Sequence, residues 1–168
     1  KNLAVELLEK LLRDEVKSRM KNDVVQEKKY SERILSTLQK YHNRSIETAQ
    51  VIEELIQWAK EMQEDAEMLD RLNLSVDEIA FYRALIENEA SVRELGDDNL
   101  RSLAIELTQQ LRKSATVDWQ KRDSVRARMR NLVRRLLRRW KYPPDAAEAA
   151  IKLVLEQAEV LADGWYAA

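Results

Sequence analysis

The chain has 168 residues, long enough for one well-buried core and too short to expect two. It balances 29 Lys and Arg against 30 Asp and Glu and contains no Cys, which excludes disulfides and thiolate metal sites. Gly and Pro number two each while Leu, Ala, Glu, Arg and Gln dominate, so an all-α fold is expected, an irregular bundle of about six to eight helices.

From Asn2 to about Met20, Leu3, Leu7, Leu8, Leu11, Leu12 and Val16 keep helical spacing, with Glu6/Lys10 and Glu9/Arg13 as i,i+4 pairs outside. Asn22 and Asp23 suit a break, Val24 to Lys29 reads as extended, and Ser31 then opens a helix carrying Ile34, Leu35, Leu38 and Tyr41. A long helix follows from Ser45 to about Leu72. Its expected buried stripe is Ile46, Ala49, Ile52, Leu55, Ile56, Ala59, Met62, Ala66 and Leu69, and its other faces are crowded with acid.

Ser75 to Glu78 is a capping box, in which the Ser hydroxyl and the Glu carboxylate satisfy amide donors at the start of a helix bearing Ile79, Tyr82, Leu85 and Ile86. Ser91 to Glu94 repeats the box for a short helix stopped by Gly96. Asp97 or Asp98 then caps a helix through Leu100, Leu103, Leu107 and Leu111. A basic helix entered through Thr116 to Trp119 runs on to Tyr142, where Pro143 and Pro144 end the ladder, and Pro144 opens a final helix to about Ala162.

The basic helix is the least ordinary part of the chain. Between Arg112 and Lys141 stand twelve cations and two anions, while residues 42–110 hold sixteen acids and six cations. Val125, Met129, Leu132, Val133, Leu136, Leu137 and Trp140 form one helix face. On a helical wheel Arg130, Arg134, Arg138 and Lys141 lie opposite it, and Arg126, Arg128, Arg135 and Arg139 lie nearer its edges. Arginine forks match phosphate and carboxylate oxygens in pairs, so these eight cations are the candidate contacts for duplex DNA or an acidic partner. The plainer alternative is that they are solvated, or neutralised by acids of the same chain.

Catalytic chemistry is thinly represented. His42 is the single histidine, Gln39 stands where a Glu-x-x-His pair would need its carboxylate, and both glycines, Gly96 and Gly164, fall at helix ends rather than in a phosphate-binding loop. No catalytic residue, metal site or bound cofactor is expected. Pro144, Asp145, Glu148 and Lys152 have the residue types of a nuclease carboxylate motif, but they open a helix, where acids suit the dipole, and no strand presents them. The Glu-rich middle helix is read as a solvated acidic face rather than a divalent-ion site. Trp58, Trp119 and Trp140 fill core on the simplest reading, Trp119 and Tyr142 are also candidates for base stacking, and Trp165 has no evident place. No apolar run approaches the roughly 18 residues of a membrane span and no signal-peptide pattern opens the chain, so a cytoplasmic protein without a membrane partner is expected.

The wording of five segments adds to their periodicity. Asn2 to Leu12 (NLAVELLEKLL), Tyr41 to Leu55 (YHNRSIETAQVIEEL), Leu74 to Leu85 (LSVDEIAFYRAL), Val117 to Arg126 (VDWQKRDSVR) and Tyr142 to Asp145 (YPPD) together resemble the C-terminal helical domain of type I restriction enzyme R subunits. The resemblance covers essentially the whole chain, which reads as a piece of something longer. It implies a parent with a PD-(D/E)xK nuclease domain and two RecA-like motor domains that use ATP and Mg2+ to translocate duplex DNA. None of those motifs lies in these residues. It also implies that residues 1–30 are a helix and connector from the preceding motor region, and that residues 31–168 are a helical assembly domain. That domain would dock the motor subunit onto the methyltransferase core of modification and specificity subunits. Two other readings stand beside it: an auxiliary contact to duplex DNA through the basic helix at residues 121–141, and a purely intramolecular structural module.

Overall fold

The computed structural model describes residues 2–115 and 123–166. Among them are eight α-helices and no strand, the all-α class that the composition favours. Packing divides the chain into two units, Lys1–Asn73 and Leu74–Ala168.

The first unit contains α1 (Leu3–Arg19), α2 (Val24–His42) and α3 (Thr48–Asp70), each in contact with the other two. Asn2 caps α1, its side-chain oxygen accepting from the N–H groups of Ala4 at 2.9 Å and Val5 at 3.3 Å. Residues Val24 to Lys29 are helical, not extended. Asp23 accepts the Gln26 N–H at 3.1 Å and so starts α2 a full two turns before Ser31, which lets Gln26 and Tyr30 enter the interior. Val5, Leu12 and Val16 of α1 meet Tyr30, Ile34 and Leu38 of α2 and Val51, Leu55 and Met62 of α3 in one cluster. Residues on both sides of position 30 therefore share a core.

The buried line of α3 is rotated from the expected stripe. Val51, Leu55, Met62 and Leu69 are buried, Ile52 and Ala66 are half-buried, and Ala49, Ile56 and Ala59 are exposed. The cause is a polar ladder that claims one flank of α3 for α2. Glu54, Trp58, Glu61 and Asp65 fall on one helix line. Thr37 donates its hydroxyl to Glu54 at 2.8 Å and accepts the Trp58 indole N–H at 3.1 Å, and Arg33 pairs with Glu61 while lying over the Trp58 ring. Asp65 accepts from the Tyr30 hydroxyl at 2.5 Å, Gln26 at 3.2 Å and Lys29 at 3.5 Å. Part of the acidic helix is thus paired rather than simply solvated. Leu35, expected in the α2 stripe, faces solvent.

The second unit is built around α4 (Val76–Ile86). Ala80, Phe81, Tyr82, Ala84 and Leu85 are all buried, because α4 is apolar on nearly every side and must be enclosed. It contacts α5 (Glu89–Leu95), α6 (Asp97–Ser114) and α8 (Pro144–Tyr166), and α7 (Asp123–Arg139) packs on α6 and α8. The capping box forms as expected, with the Glu78 N–H donating to Ser75 at 3.2 Å and the Ser75 N–H donating to Glu78 at 2.8 Å. The second expected box does not. Asn88 caps α5, and Ser91 is buried inside it. Gly96 joins α5 directly to α6 at φ 80°, where a side chain would strain the backbone, and no Asp caps α6. Asp97 instead opens that helix and accepts the Tyr82 hydroxyl.

Residues Thr116 to Trp119, the expected entry to the basic helix, lie outside the described residues. α7 ends at Arg139, slightly before the expected stop, through Lys141 at φ 60° with its N–H on the Arg138 carbonyl at 3.0 Å and the Tyr142 N–H on that of Leu137 at 2.9 Å. Pro144 opens α8 as expected, but α8 continues past Ala162 to Tyr166. The added turn places Trp165, whose indole N–H donates to Asp77 at 2.9 Å beside Arg112 at 2.6 Å on the same oxygen. Its ring sits 6.5 Å from that of Phe81.

One carbonyl ties α4, α5 and the turn between α7 and α8 together. The last carbonyls of a helix lack intrahelical donors, and the Leu85 oxygen is met by the Tyr142 hydroxyl at 2.7 Å and, at 2.9 Å, by the Ser91 hydroxyl, whose one proton is shared with the Asn88 carbonyl at 2.7 Å. Tyr142→Phe and Ser91→Ala should each cost about 0.5–1.5 kcal/mol. The double variant should cost more than the sum by at least ~0.5 kcal/mol, because only it leaves the buried carbonyl without a side-chain donor. Strict additivity in urea melts would rule out the shared acceptor.

Tyr82 makes a second prediction. Burial, then the hydrogen bond to Asp97, pushes its hydroxyl from 10.0 up to about 12. The folded chain holds that proton longer than the unfolded one, so the contribution is complete below about pH 10 and is lost as pH rises toward about 12. Denaturant melts across this window should show falling stability, with a shallower fall for Tyr82→Phe. Identical slopes for the two proteins would exclude Tyr82 as a source.

Candidate functional site

The site is the cationic helix α7 and what surrounds it. Val125, Met129, Val133, Leu136 and Leu137 are buried, and Leu132 and Trp140 are half-buried, so the face read from the sequence is the face that packs. Asp123 is the single acid of the helix and sits in its first turn, where the dipole favours it.

The eight candidate cations divide into two groups. On the flank toward α8, Arg126 pairs with Glu159 at 3.0 Å and Arg134 with Glu148 at 3.2 Å. These pairs span a groove of about 590 Å³ whose floor is Ile151 and Leu155, with Arg130 on the α7 wall. On the flank toward α6, Glu106 pairs with Arg139 and accepts the Trp140 indole N–H at 2.7 Å. Arg134, placed opposite the core by the wheel, is half-buried, because α8 reaches further around α7 than one flat neighbour would. Exposed pairs of this kind contribute about 0.2–1 kcal/mol each, so they orient α7 more than they stabilise it.

Arg128, Arg130, Arg135, Arg138 and Lys141 are exposed and form no ion pair among the described residues. The structure therefore leaves five of the eight exposed with no ion pair among the described residues and gives three to the fold. Tyr142, a stacking candidate, is buried with its hydroxyl on Leu85, and burial raises its pKa. Trp119, the other candidate, is outside the described residues. His42 is exposed at the end of α2, its ring 5.6 Å from that of Tyr41. Asp145 and Glu148 are on the first turns of α8, with Glu148 engaged by Arg134, and no group of three His, Asp or Glu among the described residues is arranged to hold a metal.

The sequence reading missed a second surface. Leu3, Leu7 and Leu11 are 79%, 56% and 55% exposed, although they sit in the helix whose Val5, Leu12 and Val16 are buried. The signal was present: leucines at both 3, 7, 11 and 8, 12 make two parallel rows, wider than one packed face needs. It also missed Glu106, Glu148 and Glu159 as partners of α7, since only packing selects them from the other acids.

Residues 1–164 match the family described as "Type I restriction enzyme HindI endonuclease subunit-like, C-terminal". Among curated proteins, the type I restriction enzyme HindI endonuclease subunit of Haemophilus influenzae is 39% identical over 163 residues, 97% of this chain and 16% of that protein. A putative type I restriction enzyme MjaIXP endonuclease subunit of Methanocaldococcus jannaschii is 30% identical over 131 residues, 77% of this chain and 12% of that one. The chain thus spans less than a fifth of the length of these relatives. No solved structure matches it. With the match running through nearly all of both packed units, the chain belongs to the family of type I restriction enzyme endonuclease subunits, as their C-terminal region.

Proposed function

We propose that this chain is a non-catalytic assembly module that docks the motor subunit of a type I restriction enzyme onto its methyltransferase core of modification and specificity subunits, in the cytoplasm. On this reading nucleolytic cleavage and ATP- and Mg2+-dependent translocation reside elsewhere in the longer subunit. The relatives' printed description as endonuclease subunits, of which the matched region is a small share, supports it.

The observation that carries the reading is the α1 leucine row. Three leucines one turn apart span roughly 12 Å at 1.5 Å per residue, and each would contribute about 1.5–3 kcal/mol if moved from water into a fully apolar contact. A helix with one apolar row in its own core and a second in solvent is built to take a protein partner. The intramolecular reading is favoured for Arg126, Arg134 and Arg139 alone, by their carboxylate partners.

Leu7→Glu with Leu11→Glu in the full endonuclease subunit should weaken its association with the methyltransferase core by about tenfold or more, read by analytical ultracentrifugation. Its melting temperature should hardly move, because exposed substitutions are usually within about 0.5 kcal/mol. Undiminished association would remove this row as the docking surface.

A further inference from the structure

We propose that the outward face of α7, formed by Arg128, Arg130, Arg135 and Arg138, with Lys141 just past the helix end, is a sequence-independent contact for the phosphate backbone of duplex DNA. The proposal goes beyond the assembly reading and uses a different helix in the other unit. Its first support is charge. A chain of net charge −1 places seven arginines against one acid within α7, and after the three internal pairs are made these five cations still face solvent.

The second support is the chemistry between the cations. Ser124, Ala127 and Asn131 occupy the outward midline, all exposed and all short, so a surface laid on α7 can approach closely while guanidinium groups reach it from either side. From Arg128 to Arg138 the helix rises roughly 15 Å. That length runs past several backbone phosphates, which follow one another at about 1.7 Å of duplex axis per charge. A protein partner would meet aromatic or aliphatic anchors at the centre of the interface. Beyond the Ala127 methyl this face has none, whereas phosphate oxygens need only donors.

The third support separates duplex from single strand. Binding a single strand uses aromatic rings as stacking platforms. The two aromatics at the end of α7 are turned away from this use, with the Trp140 indole N–H held by Glu106 and Tyr142 buried on the Leu85 carbonyl. With no stacking ring among the described residues of this face, its cations would grip the backbone through charge, a contact that carries no sequence information.

The test is the full endonuclease subunit, without ATP, titrated by fluorescence anisotropy against a labelled duplex at several salt concentrations. Arg128, Arg130, Arg135 and Arg138 are each changed to Gln in one variant. Four fewer phosphate contacts should make the slope of log affinity against log salt less negative by about 3 to 4, and low-salt affinity should fall about tenfold or more. Arg126→Gln with Arg139→Gln, which removes two internally paired cations, should change the slope by less than about 1. The fourfold variant should still sediment with the methyltransferase core, which separates this proposal from the assembly reading. An unchanged slope in the fourfold variant would overturn it. So would lost association with the methyltransferase core at undiminished duplex affinity, which would assign the face to an acidic protein, or tighter binding of single-stranded than duplex oligonucleotide through the same residues.

Discussion

The second unit depends on one constraint: a helix with seven arginines must hide an apolar face without hiding the charge. α7 resolves it by packing between α6 and α8, each of which supplies carboxylates along the seam, Glu106 on one side and Glu148 and Glu159 on the other. The acids stand where the guanidinium stems leave the apolar contact, so charge is compensated at the edges of the buried strip. The same arrangement leaves the far side of the helix uncompensated. Core and cationic surface are thus two consequences of one amphipathic segment.

Compensation elsewhere in the chain is equally local. The acidic α3 places Glu54, Glu61 and Asp65 against Thr37, Arg33 and the Tyr30 hydroxyl of its neighbour α2. Asp77 holds Arg112 and Trp165, and Asp97 holds Arg101 and Tyr82. The opposite charge totals of the middle and basic segments suggest wholesale mutual neutralisation. The contacts instead form pair by pair, within a helix or between adjacent ones, because a Coulomb interaction in or near water is worth little beyond a few ångströms.

Two exposed surfaces among the described residues differ in kind. The leucine row of α1 offers non-directional burial and suits a protein partner; the cations of α7 offer directed donors and suit phosphates. Neither carries the convergent acid, base and nucleophile of a reaction centre.

The sequence by itself determined the class and most of the elements. Few breakers, strong 3.6-residue periodicity, the Ser75 box and the Pro143–Pro144 stop are local properties, set by backbone sterics and nearest-neighbour hydrogen bonds, and they survive folding unchanged. The apolar face of α7 was legible for the same reason. Only the tertiary structure decided which rows are covered. It made Asp23 and Asn88 the caps that count, rotated α3 toward the Tyr30–Asp65 ladder, drew Trp165 to Asp77, and divided eight cations into three that are paired and five that form no ion pair among the described residues. Those outcomes rest on which helices become neighbours, and a periodic pattern fixes the faces a helix has without naming what will lie against each one.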